Sequence, residues 1–200
     1  MPRSFPAPAH TSQRILDIAE RLVQTRGFNG FSYADIASAL TVTKASLHYH
    51  FPTKAALGKQ LIERYQKTFL QALGEIERSG ADAPEKLRRY ARIYADVLRA
   101  NRMCLCGMLA AEYATLPKPM REEMRQFFDE NERWLVTILE QGRASGSLRF
   151  TGPALDVARA IVGSLEGAMM LARSYGDVSR FQVVADRVLA ELSGRPPGDT

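Results

Sequence analysis

Phe31 to Phe51 reads FSYADIASALTVTKASLHYHF, two short amphipathic segments separated by a polar turn. Ser32 is a good N-cap for a first short helix with Ile36, Ala37 and Leu40 on one face. Thr43 caps a second, which runs to Tyr49 and is stopped by Pro52. Small Ala37 lets the two helices approach closely, and Ile36, Leu40, Val42 and Leu47 supply the apolar wedge between them. Two helices crossed over a tight turn form a helix-turn-helix, whose second helix enters the major groove of DNA. Lys44, Ser46, His48, Tyr49 and His50 are left facing outward, a surface of donors and aromatics without acids that suits base edges and phosphates.

The charge distribution points the same way. Residues 1 to 67 carry nine Lys and Arg against four Asp and Glu, so the whole net charge of +5 lies in the first third. That is the footprint expected where a chain meets a polyanion.

Outward from this segment the pattern stays helical. On its N-terminal side, Thr11 or Ser12 caps a helix with Ile15, Ile18, Ala19, Leu22 and Val23 at helical spacing, ending at Gly27. On its C-terminal side, Thr53 opens a long helix to about Ser79, followed by Gly80. Further helices are expected at residues 84–100, 105–115, 119–144, 153–174 and 179–192, separated by Gly- or Pro-bearing turns. No alternating strand pattern competes, and no repeat is present. The fold class is therefore all-α with about nine helices. A three-helix DNA-binding domain over 11–54 precedes a larger helical domain over 55–193, between a Pro-bearing arm (1–10) and tail (194–200) expected to be disordered.

Val42 to Leu57, VTKASLHYHFPTKAAL, resembles the recognition helix and following turn of TetR-family regulators, whose pattern runs roughly V-S/T-K-G-S/T-L-Y-x-H/Y-F-x-S/T-K-x-x-L. The family's lead into the first helix is matched by Gly27-Phe28-Asn29-Gly30-Phe31-Ser32 and then Ile36-Ala37. The resemblance is specific over about residues 11 to 60. It implies a dimeric repressor on a double-stranded DNA operator, with Ser32, Tyr33, Thr43 and Lys54 on phosphates and Lys44, Ser46, His48 and Tyr49 as candidates for base contact. His50 and Phe51 serve equally well as packing residues, and Lys59 and Arg64 read as solvated. Two positions depart from the pattern: Thr41 and Ala45 stand where the family often has glycine. Thr41 falls in the inter-helix turn, where a positive φ strains a side chain.

The resemblance also implies an effector cavity and a homodimer interface in the second domain. Cys104, Cys106, Met108, Glu112, Tyr113, Trp134 and Met169 are the candidates to line the cavity or sense an electrophile, although sulfur and aromatic side chains also fill ordinary cores. Cys104 and Cys106 lie beside Arg99 and Arg102, where a lowered thiol pKa would permit oxidant sensing; inert burial is the alternative. Glu112 and Glu166 lie in helices with long apolar faces; a buried carboxylate there would select a cationic ligand or hold an arginine such as Arg173. Ile161, Leu165, Ala168, Phe181, Val184 and Val188 are the expected dimer residues, with Gly163 and Gly167 allowing close approach.

Other function classes find little support. No phosphate-binding glycine loop, metal-ligand set or nucleophile elbow is present, so neither catalysis, nor a metal, nor a cofactor is expected. A thiol enzyme using Cys106 and an effector-independent architectural factor of the same fold are the alternatives. No run approaches the ~18 apolar residues of a membrane span, and no signal core opens the chain, so a cytoplasmic protein is expected.

Overall fold

The computed structural model describes residues 8–193, so residues 1–7 of the expected arm and the tail 194–200 lie outside it. Nine α-helices and no strand are found among the described residues. They are α1 (Pro8–Arg26), α2 (Tyr33–Leu40), α3 (Lys44–His50), α4 (Lys54–Arg78), α5 (Ala83–Arg99), α6 (Leu105–Ala111), α7 (Lys118–Ala144), α8 (Ala154–Tyr175) and α9 (Ser179–Ser193).

Helix α1 begins at Pro8, ahead of the Thr11 or Ser12 cap read from the sequence. A proline is tolerated at a first helical position because its missing N–H would have no intrahelical acceptor there. The expected helix over 105–115 breaks at Ala111, and Tyr113–Thr115 form a separate 3-10 turn.

The caps follow from local chemistry. Thr43 Oγ1 accepts Ser46 N–H at 3.2 Å, Thr53 Oγ1 accepts Ala56 N–H at 3.0 Å, and Asp82 accepts Glu85 N–H at 2.9 Å. Each side chain satisfies an amide that the first turn leaves unpaired.

Two compact units result, and they do not follow the expected boundary at 54/55. The first holds the described residues up to Tyr65 together with Leu105–Met124. Helix α1 packs on α2 and α6 around buried Ile15, Ala19, Val23, Ile36 and Leu47, and Leu57 and Leu61 of α4 are buried with them. A Cβ on Gly58 would meet Met120 at 2.5 Å and Phe28 at 2.9 Å, so the glycine lets both side chains pack closely on α4. The segment 105–124 thus supplies core to the first unit from far along the chain.

The second unit holds Gln66–Cys104 and the described residues from Arg125 onward. Helix α5 packs on α8 and α9, which pack on each other. Its buried stripe is Leu87, Tyr90, Ala91, Tyr94, Ala95 and Leu98 on α5, Ala158, Ile161, Leu165, Ala168 and Met169 on α8, and Phe181 and Ala185 on α9.

Candidate DNA-binding surface and buried polar cluster

The outer face of the first unit is built on α3. Leu47 is buried and anchors the helix, leaving Lys44, Ala45, His48 and Tyr49 exposed. Tyr49 is 80% exposed, with its ring edge against His50. His48 Nδ1 lies 3.2 Å from the Pro52 carbonyl, which can only accept, so this nitrogen carries the proton and Nε2 is left unpaired by that bond. The ring is held from the other side by Tyr33, 4.8 Å between centroids. Phe31, Ser32, Tyr33, Ala34, Lys44, His48 and Lys54 border one shallow concavity of about 420 Å³, so five of the expected DNA-contacting side chains converge.

Within that group two roles change. Tyr33 is buried and donates its hydroxyl to the Phe51 carbonyl at 2.8 Å, with burial pushing its pKa up to about 12. Its hydroxyl fastens α2 to the end of α3 instead of pointing at a phosphate. Lys54, expected on a phosphate, turns its ammonium onto the Phe28 carbonyl at 2.5 Å and onto that of Phe31, with both rings beneath it at 4.6 and 4.2 Å. Partial burial lowers its pKa. The loop Gly27–Ser32 exposes carbonyls with no helical partner, and a cation satisfies two at once.

Ser32 is exposed, and its N–H and hydroxyl both donate to Asp35 at 2.7 Å, which holds that carboxyl below the usual range. Thr43 is exposed and Ser46 half-buried. Thr41 adopts the left-handed conformation at φ 56°, ψ 45°, the strained turn anticipated from its departure from glycine. Lys59 and Arg64 are not merely solvated: Lys59 pairs with Glu63 and Glu123, and Arg64 with Asp17 and Glu20 at 2.6 Å each.

The expected effector residues are divided between the two units. Cys106, Met108, Glu112 and Tyr113 belong to the first unit, whereas Cys104, Trp134 and Met169 belong to the second. The Glu112 carboxylate accepts Phe28 N–H at 2.6 Å and Asn29 N–H at 3.1 Å, capping the α1–α2 loop. Tyr113 is exposed beneath the Arg121 guanidinium, and Met108 is half-buried. Cys104 and Cys106 are both buried. Arg99 pairs with Asp96, and the Cys104 thiol shares a hydrogen bond with the Glu166 carboxyl. Met169 is core.

What the second unit does assemble is a buried polar cluster. Tyr90 and Tyr94 share a hydrogen bond of 2.9 Å, and Asn131 donates its amide to Tyr94 at 3.2 Å. Trp134 stacks on Tyr90 at 5.6 Å between centroids. Burial raises the Glu166 pKa to about 7 and pushes both tyrosines upward. Asn131 escaped the sequence reading, although a signal was present. It sits in the apolar register Met120, Met124, Phe127, Asn131, Leu135, Ile138 of α7, where a polar residue must find a buried partner.

The expected dimer residues divide as well. Ile161, Leu165, Ala168 and Phe181 are spent on the chain's own core, since α8 must cover α5, while Val184 and Val188 are half-buried. The neighbouring face carries exposed Met170, Leu171, Tyr175 and Val183, and Cβ atoms built on Gly163 and Gly167 meet nothing within 4 Å. No helix among the described residues is long and apolar enough to cross a membrane.

Residues 15–61 match the family described as bacterial regulatory proteins, tetR family, and residues 83–188 match the tetracyclin repressor-like C-terminal domain. The HTH-type transcriptional repressor NemR of Escherichia coli K12 is 27% identical over 172 residues, covering 82% of this chain and 84% of that protein. The crystal structure of NemR in its reduced form superposes with a TM-score of 0.80 at 26% identity, covering 94% of this chain and all of the other. A TetR-family regulator from Agrobacterium tumefaciens reaches a TM-score of 0.90 at 32% identity, covering 93% of this chain and 99% of that one.

Proposed function

The chain belongs to the TetR family of bacterial regulatory proteins, and on that premise we propose that it is a transcriptional repressor, dimeric on a palindromic operator and released by a small-molecule effector held in its second unit. Regulation, not catalysis, is the proposed role.

The observation that carries this reading is the α3 surface. Lys44, His48 and Tyr49 stand exposed on a helix free of acidic residues. With Nδ1 bound to Pro52, His48 turns Nε2 toward base edges in the major groove, while Lys44 supplies a donor to guanine or phosphate. Ser32 and Thr43 offer hydroxyls at helix starts.

One such module buries too little surface for specificity, so a second copy is required. Its proposed seat is the α8–α9 face of Gly163, Gly167, Met170, Leu171 and Val183, where each large apolar side chain removed from water contributes about 1.5–3 kcal/mol. The paired recognition helices would lie about one DNA turn apart, roughly 34–36 Å.

A ligand, in preference to oxidation of Cys104 or Cys106, is the proposed signal, because both thiols are buried. Unpaired polar atoms in the second unit favour a ligand over an effector-independent architectural factor, whose core would be closed on itself.

Fluorescence anisotropy against duplex DNA from immediately upstream of the protein's own gene, followed by selection from a random duplex library, tests the proposal. Saturable binding to a site with two inverted half-sites supports it. Selected duplexes bound no better than random DNA would overturn it.

A further inference from the structure

In the second unit, Glu166 Oε1, Asn131 Oδ1 and Trp134 Nε1 are sealed from solvent without a hydrogen-bond partner among the described residues. A buried polar atom left without a partner is costly, and three in one neighbourhood are not an ordinary core. They lie around the Tyr90–Tyr94 pair. Asn131 bonds Tyr94, Trp134 stacks on Tyr90, and Glu166 acts electrostatically on both tyrosines. Trp134 and Glu166 are half-buried as whole residues, whereas Asn131, Tyr90 and Tyr94 are fully buried, so the cluster runs from the core toward its margin.

We propose that Glu166, Asn131 and Trp134 form the recognition site for a small organic cation, a protonated amine that also carries a hydrogen-bond acceptor. The two unpaired oxygens of Glu166 and Asn131 call for donors, and the Trp134 N–H calls for one acceptor. An ammonium supplies three donors with a charge that matches the carboxylate, and the stacked Tyr90 and Trp134 rings offer a face for its apolar part. The carboxyl pKa stands raised by burial, with the Cys104 thiol its only opposing influence; a fixed cation beside it would instead have lowered it. No cation among the described residues contributes to the Glu166 shift, and a positive charge is what the ligand brings. Phe69 sets its edge against both tyrosines at 6.3 and 6.0 Å, holding the aromatic wall rigid.

This inference rests on the ligand-responsive reading, and its test separates the two. Trp134 is the chain's single tryptophan, so its emission reports the site directly. The full-length protein is titrated with tyramine and with the smaller ethylamine, then with tyrosol and phloretate, the neutral and anionic counterparts of tyramine. Saturable change in Trp134 emission is expected with an amine, at least tenfold tighter for tyramine than for tyrosol, and none with phloretate. Glu166→Gln is expected to lose at least tenfold in tyramine affinity while keeping its operator affinity. Trp134→Phe, followed by calorimetry, is expected to keep the preference for the cation with a several-fold weaker affinity. No saturable response to either amine, equal binding of tyramine and tyrosol, or an unchanged Glu166→Gln affinity would each overturn the cation site while leaving operator binding intact. Tyramine binding that leaves operator affinity unmoved would retain the site and overturn the ligand-responsive reading instead.

Discussion

The carboxylate of Glu112 accepts the backbone N–H of Phe28 at 2.6 Å, bridging 84 residues of sequence. The same carboxylate takes Asn29 N–H, and Thr115 accepts the Asn29 side-chain amide at 2.8 Å. The corner after α6 therefore grips the loop that sets α2 against α1. Glu112→Ala leaves the part-buried Phe28 amide without its acceptor, a loss of about 1 kcal/mol, while the exposed Asn29 amide can turn to water. Operator affinity is expected to fall along with the melting temperature, measured by anisotropy and calorimetry on one preparation. Retention of both would show that the loop holds its shape without the carboxylate.

Thr41 ends α2 in the left-handed conformation, with its N–H returned to the carbonyls of Ala37 and Ser38. A β-branched side chain there costs roughly 1–2 kcal/mol, which a glycine's greater chain entropy offsets in part. Thr41→Gly is expected to stabilise the protein by up to about 1 kcal/mol, raising the melting temperature by roughly 2–4 °C. A lower melting temperature would mean that the threonine side chain is held by contacts stronger than its strain.

Most of the architecture was legible because the signals were local. Ser32, Thr43 and Pro52 bound the two short helices as read, and apolar spacing located the rest to within a few residues. What was not legible were partnerships across the chain. Nothing within a few residues of Glu112 marks it as the cap of a loop 84 positions away, nor ties Lys54 to the carbonyls of Phe28 and Phe31. The dimer face is a different case. Periodicity identifies the apolar stripe of α8 but cannot divide it between Ile161, Leu165 and Ala168, which face the chain's own core, and Met170 and Leu171, which do not.

Lys44 and Lys54 separate a DNA contact from a structural cation. Lys44 is exposed at the start of α3, so Lys44→Ala is expected to lower the salt slope of operator binding by roughly one without changing stability. Lys54→Met removes the donor from two loop carbonyls and is expected to cost stability and affinity while leaving the salt slope of the folded fraction unchanged. Slopes measured between low and moderate salt decide it: equal decreases for the two variants would place the Lys54 ammonium on a phosphate.

Leu171 is 60% exposed on α8, on the face where Gly163 and Gly167 leave open space. If that face seats a second copy, Leu171→Asp buries a charge in the interface but costs the single chain little, because the residue already meets water. Sedimentation is expected to show monomers at concentrations where the unaltered chain is dimeric, with helical content preserved and operator affinity lost. A dimer that survives Leu171→Asp would move the interface elsewhere.

Glu166 makes stability depend on pH in the direction opposite to most carboxylates. Burial raises its pKa from 4.5 to about 7, so between these values the native chain holds a proton that the unfolded chain has released. Stability therefore falls as pH rises through that window, because ionising the buried group is resisted only in the folded state. The groups around it do not reverse the sign: Tyr90 and Tyr94 on α5 are themselves pushed upward, Glu132 is acidic, and the Cys104 thiol lowers the carboxyl only in part. At 1.36 kcal/mol per unit, the full penalty is at most about 3 kcal/mol. Glu166→Gln keeps the shape and removes the ionisation. Denaturant midpoints of the two proteins are expected to agree near pH 4.5, where the carboxyl is protonated when folded, and to separate in favour of glutamine up to about pH 7. A saturating amine that binds the carboxylate would close that gap from the other side, by stabilising the ionised form that burial alone disfavours. Parallel profiles across the whole range would mean that the carboxyl is hydrated in solution and carries no burial penalty.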